Sequence, residues 1–250
     1  MLSNPISDDL LKQQNKKREK YMTDSEKKPI ILSIESSGNT SGIALHEGSE
    51  LLAEYSLIGK NLHDKLMTES IRRLLGDLEL KIEDIAAIAV SAGPGSFTGL
   101  RIGAAIAKGL CFEGSPKFIA VPNLSAFAYA ARDFAKSVNA SGIIATIKAH
   151  KNLMYRQEFN IEAEASGEII MTDTTEFEAL DTAGKVLCGT AVEPDTMTLK
   201  TLTELSSRII GEYAVAAYNK SDFADAAEFT PMYIQEFEIK TSKKKIFGEK

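Results

Sequence analysis

The sequence is poor in the residues that build most disulfide and metal sites. It has no tryptophan, two cysteines and three histidines in 250 residues. Two cysteines exclude a disulfide scaffold and a four-cysteine zinc site. Cys111 and Cys188 both lie in apolar stretches, which predicts buried free thiols in a reducing, cytoplasmic environment. His46, His63 and His150 include no pair four residues apart, so we expect no bound metal.

Long apolar runs are missing as well. No run approaches the ~18 residues that a membrane-spanning helix needs, and the polar N-terminus lacks the form of a secretory signal. We therefore expect no membrane association. Apolar residues make up 44% of the chain and charged residues 26%, which excludes a collagen, a coiled coil and a fully disordered chain.

Charge is distributed unevenly along the chain. The net charge is −6, yet residues 1–28 carry seven Lys and Arg against five Asp and Glu, and residues 240–250 carry five Lys and one Glu. We interpret 1–28 as a flexible extension and 240–250 as a basic tail. The acidic body between them is a better docking surface for a basic partner than for nucleic acid. The tail either contacts nucleic acid or only keeps the protein in solution.

The first half of the chain predicts an alternation of strands and helices after an opening meander. The stretch 85–91 is apolar on both faces, which is typical of a fully buried strand. In chain order we predict strands 29–37, 42–48 and 51–57, a helix over 63–78, a strand over 85–91, a glycine-rich loop over 92–99, a helix over 100–114 and a strand over 118–121.

The second half repeats this order. After a helix over 124–136 we predict strands over 142–149, 153–161 and 168–172, a short helix over 176–180, a strand over 185–189 and a helix over 199–218. Meanders followed by crossover helices indicate an α/β fold of two related lobes. We place the first lobe over 29–122 and the second, smaller lobe over 123–239, from which a C-terminal helix can pack back on the first.

Two loops have the composition of anion-binding turns. Gly93, Gly95 and Ser96 precede a helix, where glycines let a backbone approach closely and free N–H groups attract anions. No Gly-Lys-Ser/Thr follows, so the loop is not a Walker A motif. A phosphate or a partner's carboxylate is one interpretation, and plain turns are the other. The hairpin turn after the first strand supplies the further candidates Glu35, Ser36, Ser37 and Thr40.

The helices over 63–78 and 100–114 offer a second candidate surface. The first has a broad apolar stripe, and the second has a narrow glycine and alanine face that another helix can approach closely. Either the two helices form a face for a partner or a second copy, or they simply cover their own sheet. The pattern leaves both open.

Three segments carry a family resemblance: ILSIESSGNTSGIAL, AVSAGPGSFTGLRIGAAIAKGL and AVPNLSAFA. They resemble the bacterial TsaB (YeaZ) family, over about residues 30–235, and the block GPGSFTGLRIG at 93–103 is the most specific part. The resemblance implies an actin-like (ASKHA, Hsp70-like) fold of two lobes. It also implies a noncatalytic subunit that binds a TsaD-type catalytic subunit, which transfers threonylcarbamoyl to N6 of adenosine 37 in tRNAs that read ANN codons.

The same resemblance implies partners and an interface. The implied partners are the TsaD-type subunit, a TsaE-type ATPase subunit and a second copy docking through the same helices, with tRNA contacted only indirectly. No cofactor is implied. The interface candidates on the two helices are His63, Leu66, Met67, Ser70, Ile71, Leu74, Thr98, Arg101, Ile102, Ala104, Ala105 and Lys108.

Several positions depart from the family pattern. TsaD-type chains carry an HxxxH metal pair on the first helix, whereas here His63 is followed by Met67, which implies no catalysis by this chain. Glu35 and Lys148 stand where the family has Asp, and Gln235 stands where it has Arg. A self-sufficient actin-fold ATPase or kinase is the alternative function, and a protease of the older "glycoprotease" type is a further one.

Overall fold

A five-stranded mixed sheet forms the N-terminal half of the fold. The computed structural model describes residues 28–58, 63–112, 115–191 and 202–232, so the predicted extension before Lys28 and the tail over 240–250 lie outside it. In chain order the strands are β1 (Ile30–Glu35), β2 (Thr40–Glu47), β3 (Glu50–Ile58), β4 (Ala87–Gly93) and β5 (Lys117–Pro122). Across the sheet the order is β3-β2-β1-β4-β5, with β1 antiparallel to β2 and parallel to β4.

Helices cover both faces of this sheet because its central strands are apolar on both sides. β4 is buried along its whole length. Helices α1 (His63–Asp77) and α2 (Phe97–Leu110) pack on one face, against β2, β3 and β4. Within the described ranges, no helix is long and apolar enough to cross a bilayer.

The second sheet repeats the topology of the first with one strand fewer among the described residues. Its strands are β6 (Gly142–Lys148), β7 (Leu153–Phe159), β8 (Ile170–Asp173) and β9 (Lys185–Gly189). Their order, β8-β7-β6-β9, matches β3-β2-β1-β4. The short helix α4 (Thr174–Glu178) follows β8.

One apolar core joins the two sheets through the helices α3 (Asn123–Ser137) and α5 (Ser207–Asn219). Ile119 of the first sheet, Phe127 of α3 and Ile143 of the second sheet belong to the same buried cluster. Because α5 packs on β1 and β2 as well as on α3, the division into lobes at residue 122 stays a prediction. Cys111 and Cys188 are buried free thiols, which confirms that prediction.

Two helices start three or more residues away from their predicted starts. α5 begins at Ser207, not at residue 199, because Ser206 caps it by accepting a hydrogen bond from the Ile209 N–H at 3.3 Å. Residues 202–206 are not α-helical, and 199–201 lie outside the described ranges. α2 begins at Phe97, not at residue 100, because the Ser96 hydroxyl accepts from the Gly99 N–H. Both predictions followed apolar spacing and passed over the capping serines.

The segment after α5 closes the free edge of the first sheet. We call residues 221–232 the strap. The Ala224 N–H donates to the Phe118 carbonyl at 3.0 Å, and the rings of Phe229 and Phe118 lie 4.9 Å apart. The strap thus covers β5, whose outer edge would otherwise present unpaired backbone groups.

Candidate functional site

The glycines of the block at 93–103 allow α2 to cross the end of β1 closely. A Cβ on Gly95 would lie 2.7 Å from Ser37 Cβ, and one on Gly99 or Gly103 would overlap Ser36. No side chain fits between these backbones. The spacing Gly95, Gly99, Gly103 therefore reflects contact along one helix face.

Hydrogen bonds lock the same two loops together. The Ser96 N–H donates to the Ser37 carbonyl at 2.7 Å, and the Ser36 hydroxyl donates to the Gly99 carbonyl at 2.8 Å. The loop N–H groups that were predicted to meet an anion are thus partly used within the chain. Gly93, Ser96 and Gly99 all donate to groups of this chain.

Asn123, the first residue of α3, is the hub of this arrangement. Its Nδ2 donates to the Ser37 hydroxyl at 2.8 Å and to the Pro94 carbonyl at 2.9 Å, and its Oδ1 accepts from the Gly93 N–H at 3.4 Å. The side chain is fully buried. The sequence analysis did not select Asn123 as a site residue, although a polar residue directly after an apolar strand was a signal for it.

Glu35 is a carboxyl group buried at the end of β1. Its Oε1 accepts from the Ser37 N–H and hydroxyl, both at 2.6 Å, while Oε2 has no hydrogen-bond partner among the described residues. Burial raises the pKa of Glu35 to about 7, against the lowering effect of the Ser37 donors. Ser91, on the neighbouring strand, also has a buried hydroxyl without such a partner. Glu35 is thus shielded from solvent.

We call this cluster the first junction: Glu35–Ser37, Gly93–Gly99 and Asn123. It brings together six of the seven loop candidates, whereas Thr40, at the start of β2, takes part in none of the hydrogen bonds described above. Anion binding here stays a prediction. Among the residues that the structure describes, no three His, Cys, Asp or Glu side chains are grouped so as to hold a metal ion.

The helix candidates divide between the core and the surface. Met67, Ile71, Leu74 and Ala104 are at most 5% exposed and pack toward the sheet. The structure thus buries these four side chains within the chain itself, and their contact with a partner stays a prediction. Their apolar stripe is the one that α1 and α2 need to cover their own sheet. The His63 side chain lies outside the described residues.

Lys108 is also occupied within the chain. Its Nζ donates to the Ala227 carbonyl of the strap at 3.0 Å. The ammonium group thus holds the strap against α2, and contact between Lys108 and a partner stays a prediction.

The remaining candidates form an outward face. We call it the docking face: Leu66, Ser70, Thr98, Arg101, Ile102, Ala105, Gly109 and Phe112. Ser70 and Ile102 are half-buried, and the others are exposed. Nothing lies within 4 Å of a Cβ placed on Gly109, and Phe112 is 76% exposed. Gly109 and Phe112 were not among the predicted interface candidates, although both lie within the helix predicted over 100–114.

An aromatic and a cationic side chain stack at the N-terminal end of this face. The Arg101 guanidinium carbon lies 3.8 Å from the centroid of the Phe97 ring. Phe97, another residue the sequence analysis missed, is 38% exposed. The face therefore combines small residues, exposed apolar groups and a positive charge, which suits a helix-packing partner.

Comparison with known proteins places these features in context. A family model described as TsaD: tRNA N6-adenosine threonylcarbamoyltransferase matches residues 50–242. The tRNA threonylcarbamoyladenosine biosynthesis protein TsaB of Bacillus subtilis (strain 168) is 36% identical over 104 residues, 42% of this chain and 45% of that protein. A tRNA N6-adenosine threonylcarbamoyltransferase of Granulibacter bethesdensis is 32% identical over 117 residues, 40% of this chain and 32% of that protein.

The fold itself has a solved counterpart. YeaZ from Pseudomonas aeruginosa superposes with a TM-score of 0.67 at 20% identity, covering 82% of this chain and 100% of that one. This likeness, with the two mixed sheets, confirms the predicted fold class. The chain spans about half the length of the TsaB-named relatives that it matches.

Proposed function

Since the chain belongs to the family described as TsaD: tRNA N6-adenosine threonylcarbamoyltransferase, on its TsaB (YeaZ) branch, we propose that it is a noncatalytic subunit. In this proposal it docks on a TsaD-type catalytic subunit that transfers threonylcarbamoyl to N6 of adenosine 37 in tRNAs reading ANN codons. The observation that carries the proposal is the docking face, an outward helix surface of small and apolar residues beside the first junction.

The geometry of α2 supports docking by a helix. Ala105 and Gly109 are exposed, so a partner's backbone can approach α2 closely. Leu66 is 40% exposed and Phe112 76% exposed, and both lie on helices or helix ends that share this side of the sheet. Apolar groups of this size gain free energy when a partner removes them from water.

A noncatalytic role is supported by two features of the helices and loops. Met67 occupies the position at which a metal-binding histidine pair would need its second member, and it is 2% exposed and packed in the core. The donors of the first junction are already used by Ser37, Asn123 and Ser96. Both features speak against the alternative, an ATPase or kinase acting alone.

The wider assembly belongs to the same proposal. We place a TsaE-type ATPase subunit in the complex, contact with tRNA only through the partner, and a homodimer through the docking face when the partner is absent. A cytoplasmic location belongs to the same proposal, since the biosynthesis proteins it resembles act on tRNA.

The proposal is tested by co-purifying the chain with the TsaD-type protein of the same organism and measuring the mass by light scattering. We expect a 1:1 complex. Ala105→Glu, which puts a charge on the exposed middle of α2, should weaken the complex at least about 30-fold, because the carboxylate loses water without a partner. Since Ala105 is exposed, the variant should fold normally.

The matched control is Ala216→Glu on α5, a half-buried alanine away from the docking face. It should bind like the unmodified chain. Equal binding by all three proteins would refute the assigned face, and the absence of any complex between folded proteins would refute the proposed role.

A further inference from the structure

His46, on β2, lies directly beneath α5 on the inner face of the first sheet. Its side chain is 1% exposed, and Nδ1 and Nε2 have no hydrogen-bond partner among the described residues. A Cβ on Gly211 of α5 would overlap the imidazole ring, so the helix backbone rests on the ring itself. α5 thus closes over a buried titratable side chain.

Hydrogen bonds hold the N-terminal end of α5 on the same sheet. The Ser33 hydroxyl donates to the Ser207 carbonyl at 2.7 Å. On β3, Glu54 Oε1 accepts from the Ser207 hydroxyl at 3.0 Å and from the Arg208 N–H at 3.1 Å. A carboxylate there also suits the positive end of the helix dipole. α5 is therefore held by polar contacts at its N-terminal end and rests on His46 one turn later.

The charged groups around His46 do not bond its ring. A protonated imidazole needs two acceptors, since both ring nitrogens then donate. The Glu54 carboxylate attracts such a charge and Arg208 of α5 repels it, yet burial of the ring outweighs the attraction and lowers the pKa of His46. The other carboxyl groups on the elements packed here are Glu35 on β1, Glu47 on β2 and Glu212 on α5.

A ring that gains a charge in this place is stabilised by reaching water, and α5 covers it. We propose that His46 is a pH-dependent latch, with α5 and the strap docked on the first sheet while the imidazole is neutral and released when it is protonated. The strap follows because it begins two residues after α5 ends at Asn219. The stability of the docked state is fully present above the ordinary histidine pKa of 6.5 and is lost as the pH falls below it.

Hydrogen exchange of the α5 amides in the full-length protein reports the release directly. After correction for the intrinsic exchange rate, the protection factors of α5 should fall at least about fivefold between pH 7.5 and pH 5. Glu35 and Glu212 cannot cause this fall. Burial raises the pKa of each carboxyl, so acidification stabilises the folded chain through them.

Two glutamine variants separate His46 from the other histidines. His46→Gln keeps a polar side chain that cannot be protonated, so its α5 protection should not fall over that pH range. His150→Gln, at the exposed turn after β6, is the matched control and should lose protection like the unmodified chain. An equal fall in all three proteins, or no fall in any of them, overturns the proposal.

A proton NMR titration covers the case in which His46→Gln does not fold. The double variant His63→Gln with His150→Gln retains His46 as its one histidine. The ring signal should titrate with a pKa below the ordinary 6.5, at the same midpoint as the loss of α5 protection. A midpoint at or above 6.5, or exchange that does not follow the ring titration, overturns the latch.

A consequence for docking rests on the proposed function. The strap bonds α2 at Lys108 and reaches Ala92, just before the glycine-rich loop, so its release removes support from the helix that carries the docking face. Between pH 7.5 and pH 5, binding of the TsaD-type partner should weaken at least about threefold more for the unmodified chain than for His46→Gln. An equal change refutes this coupling and leaves the latch in place. Failure of the partner to bind at either pH refutes the proposed function, while hydrogen exchange still decides the latch.

Discussion

The two sheets close their carboxyl ends in the same way but with different chemistry. In the first junction α2 crosses β1 so closely that a Cβ on Gly99 would overlap Ser36. In the second sheet the end of β9 approaches β6 just as closely. Gly189 has φ 109°, and a Cβ there would overlap the backbone of Thr146. Both crossings need a glycine, because parallel neighbouring strands bring two backbones together at the same edge.

The polar groups around the two crossings differ. Among the described residues, the second crossing holds hydrogen bonds from the Thr190 N–H to the Thr146 carbonyl at 3.0 Å and from the Lys148 N–H to the Thr190 hydroxyl at 2.8 Å. The Thr146 hydroxyl also donates to the Cys188 carbonyl at 3.3 Å. The first crossing adds the buried Glu35 and the hub Asn123. Both halves thus need a glycine where two backbones meet. Among the described residues, the network of Glu35 and Asn123 lies in the half that carries the docking face.

Substituting the glycines at the two crossings should cause the largest loss of stability, and it should do so in both halves of the fold. We expect Gly99→Ala and Gly189→Ala each to lower the free energy of unfolding by at least about 4 kcal/mol, because a methyl group meets backbone atoms that cannot move aside. Urea denaturation measures this. Gly109→Ala, on the open side of α2, is the control and should raise stability by about 0.5–1 kcal/mol. Comparable losses in all three variants would contradict the crossing argument.

Removing the Asn123 side chain should destabilise the first junction more than the matching substitution destabilises the second crossing. Asn123→Ala leaves the buried Pro94 carbonyl and Gly93 N–H without their side-chain partner, and the Ser37 hydroxyl keeps only its bond to Glu35. We therefore expect a loss of about 3 kcal/mol. Thr190→Val removes a single side-chain bond from the second crossing and should cost about 1 kcal/mol. The two variants are compared by chemical denaturation at one pH. Equal losses would mean that the hub adds nothing to the first junction.

The smallest effect concerns the pH dependence that Glu35 gives to the first junction. Its pKa in the folded chain is about 7, above its ordinary 4.5, so the folded state holds this proton more tightly. The stability that this gives is fully present below about pH 4.5 and is lost as the pH rises through about 7, by up to ~2–3 kcal/mol. Glu35→Gln should remove this pH dependence of the free energy of unfolding. Between pH 5 and pH 8 the variant should therefore become more stable relative to the unmodified chain.

The second crossing supplies the control for this titration. Thr190→Val should keep the pH dependence of the unmodified chain, since the hydrogen bonds recorded at that crossing involve no carboxylate. If Glu35→Gln and the unmodified chain show parallel pH profiles in denaturation, Glu35 does not hold its proton in the folded state.

Most of the fold was predictable because local patterns carry it. The alternation in 30–58 and the apolar run in 87–93 specify strands, and the repeated meander-and-helix order specifies the α/β fold. The start of α5 was not predictable from spacing alone, since Leu202 and Leu205 are buried at helical spacing in a stretch that is not helical. Tertiary burial placed them, and the Ser206 cap set the boundary.

The loops of the site were predictable from the sequence. Which helix faces point toward the sheet and which point outward was not. Glycine and serine patterns identified the first junction, but periodicity cannot tell a stripe that faces its own sheet from one that faces a partner. Met67 and Leu74 therefore appeared among the interface candidates although they belong to the core. The hydrogen bonds of Asn123 and Lys108 could not be predicted, because their partners, Ser37 and Ala227, lie far away in the chain.

The placement of α5 and the strap affects how the protein is made. The Ser33 hydroxyl donates to the Ser207 carbonyl across 174 positions, and the strap closes the edge of β5 only after α5 is in place. The first strand of this sheet is translated early. The inner face and the β5 edge of the sheet are nevertheless covered only after almost the whole chain has been made. Contacts of such long range slow folding. During translation, the growing chain therefore passes through a stage in which a nearly complete sheet is exposed to aggregation and chaperone capture.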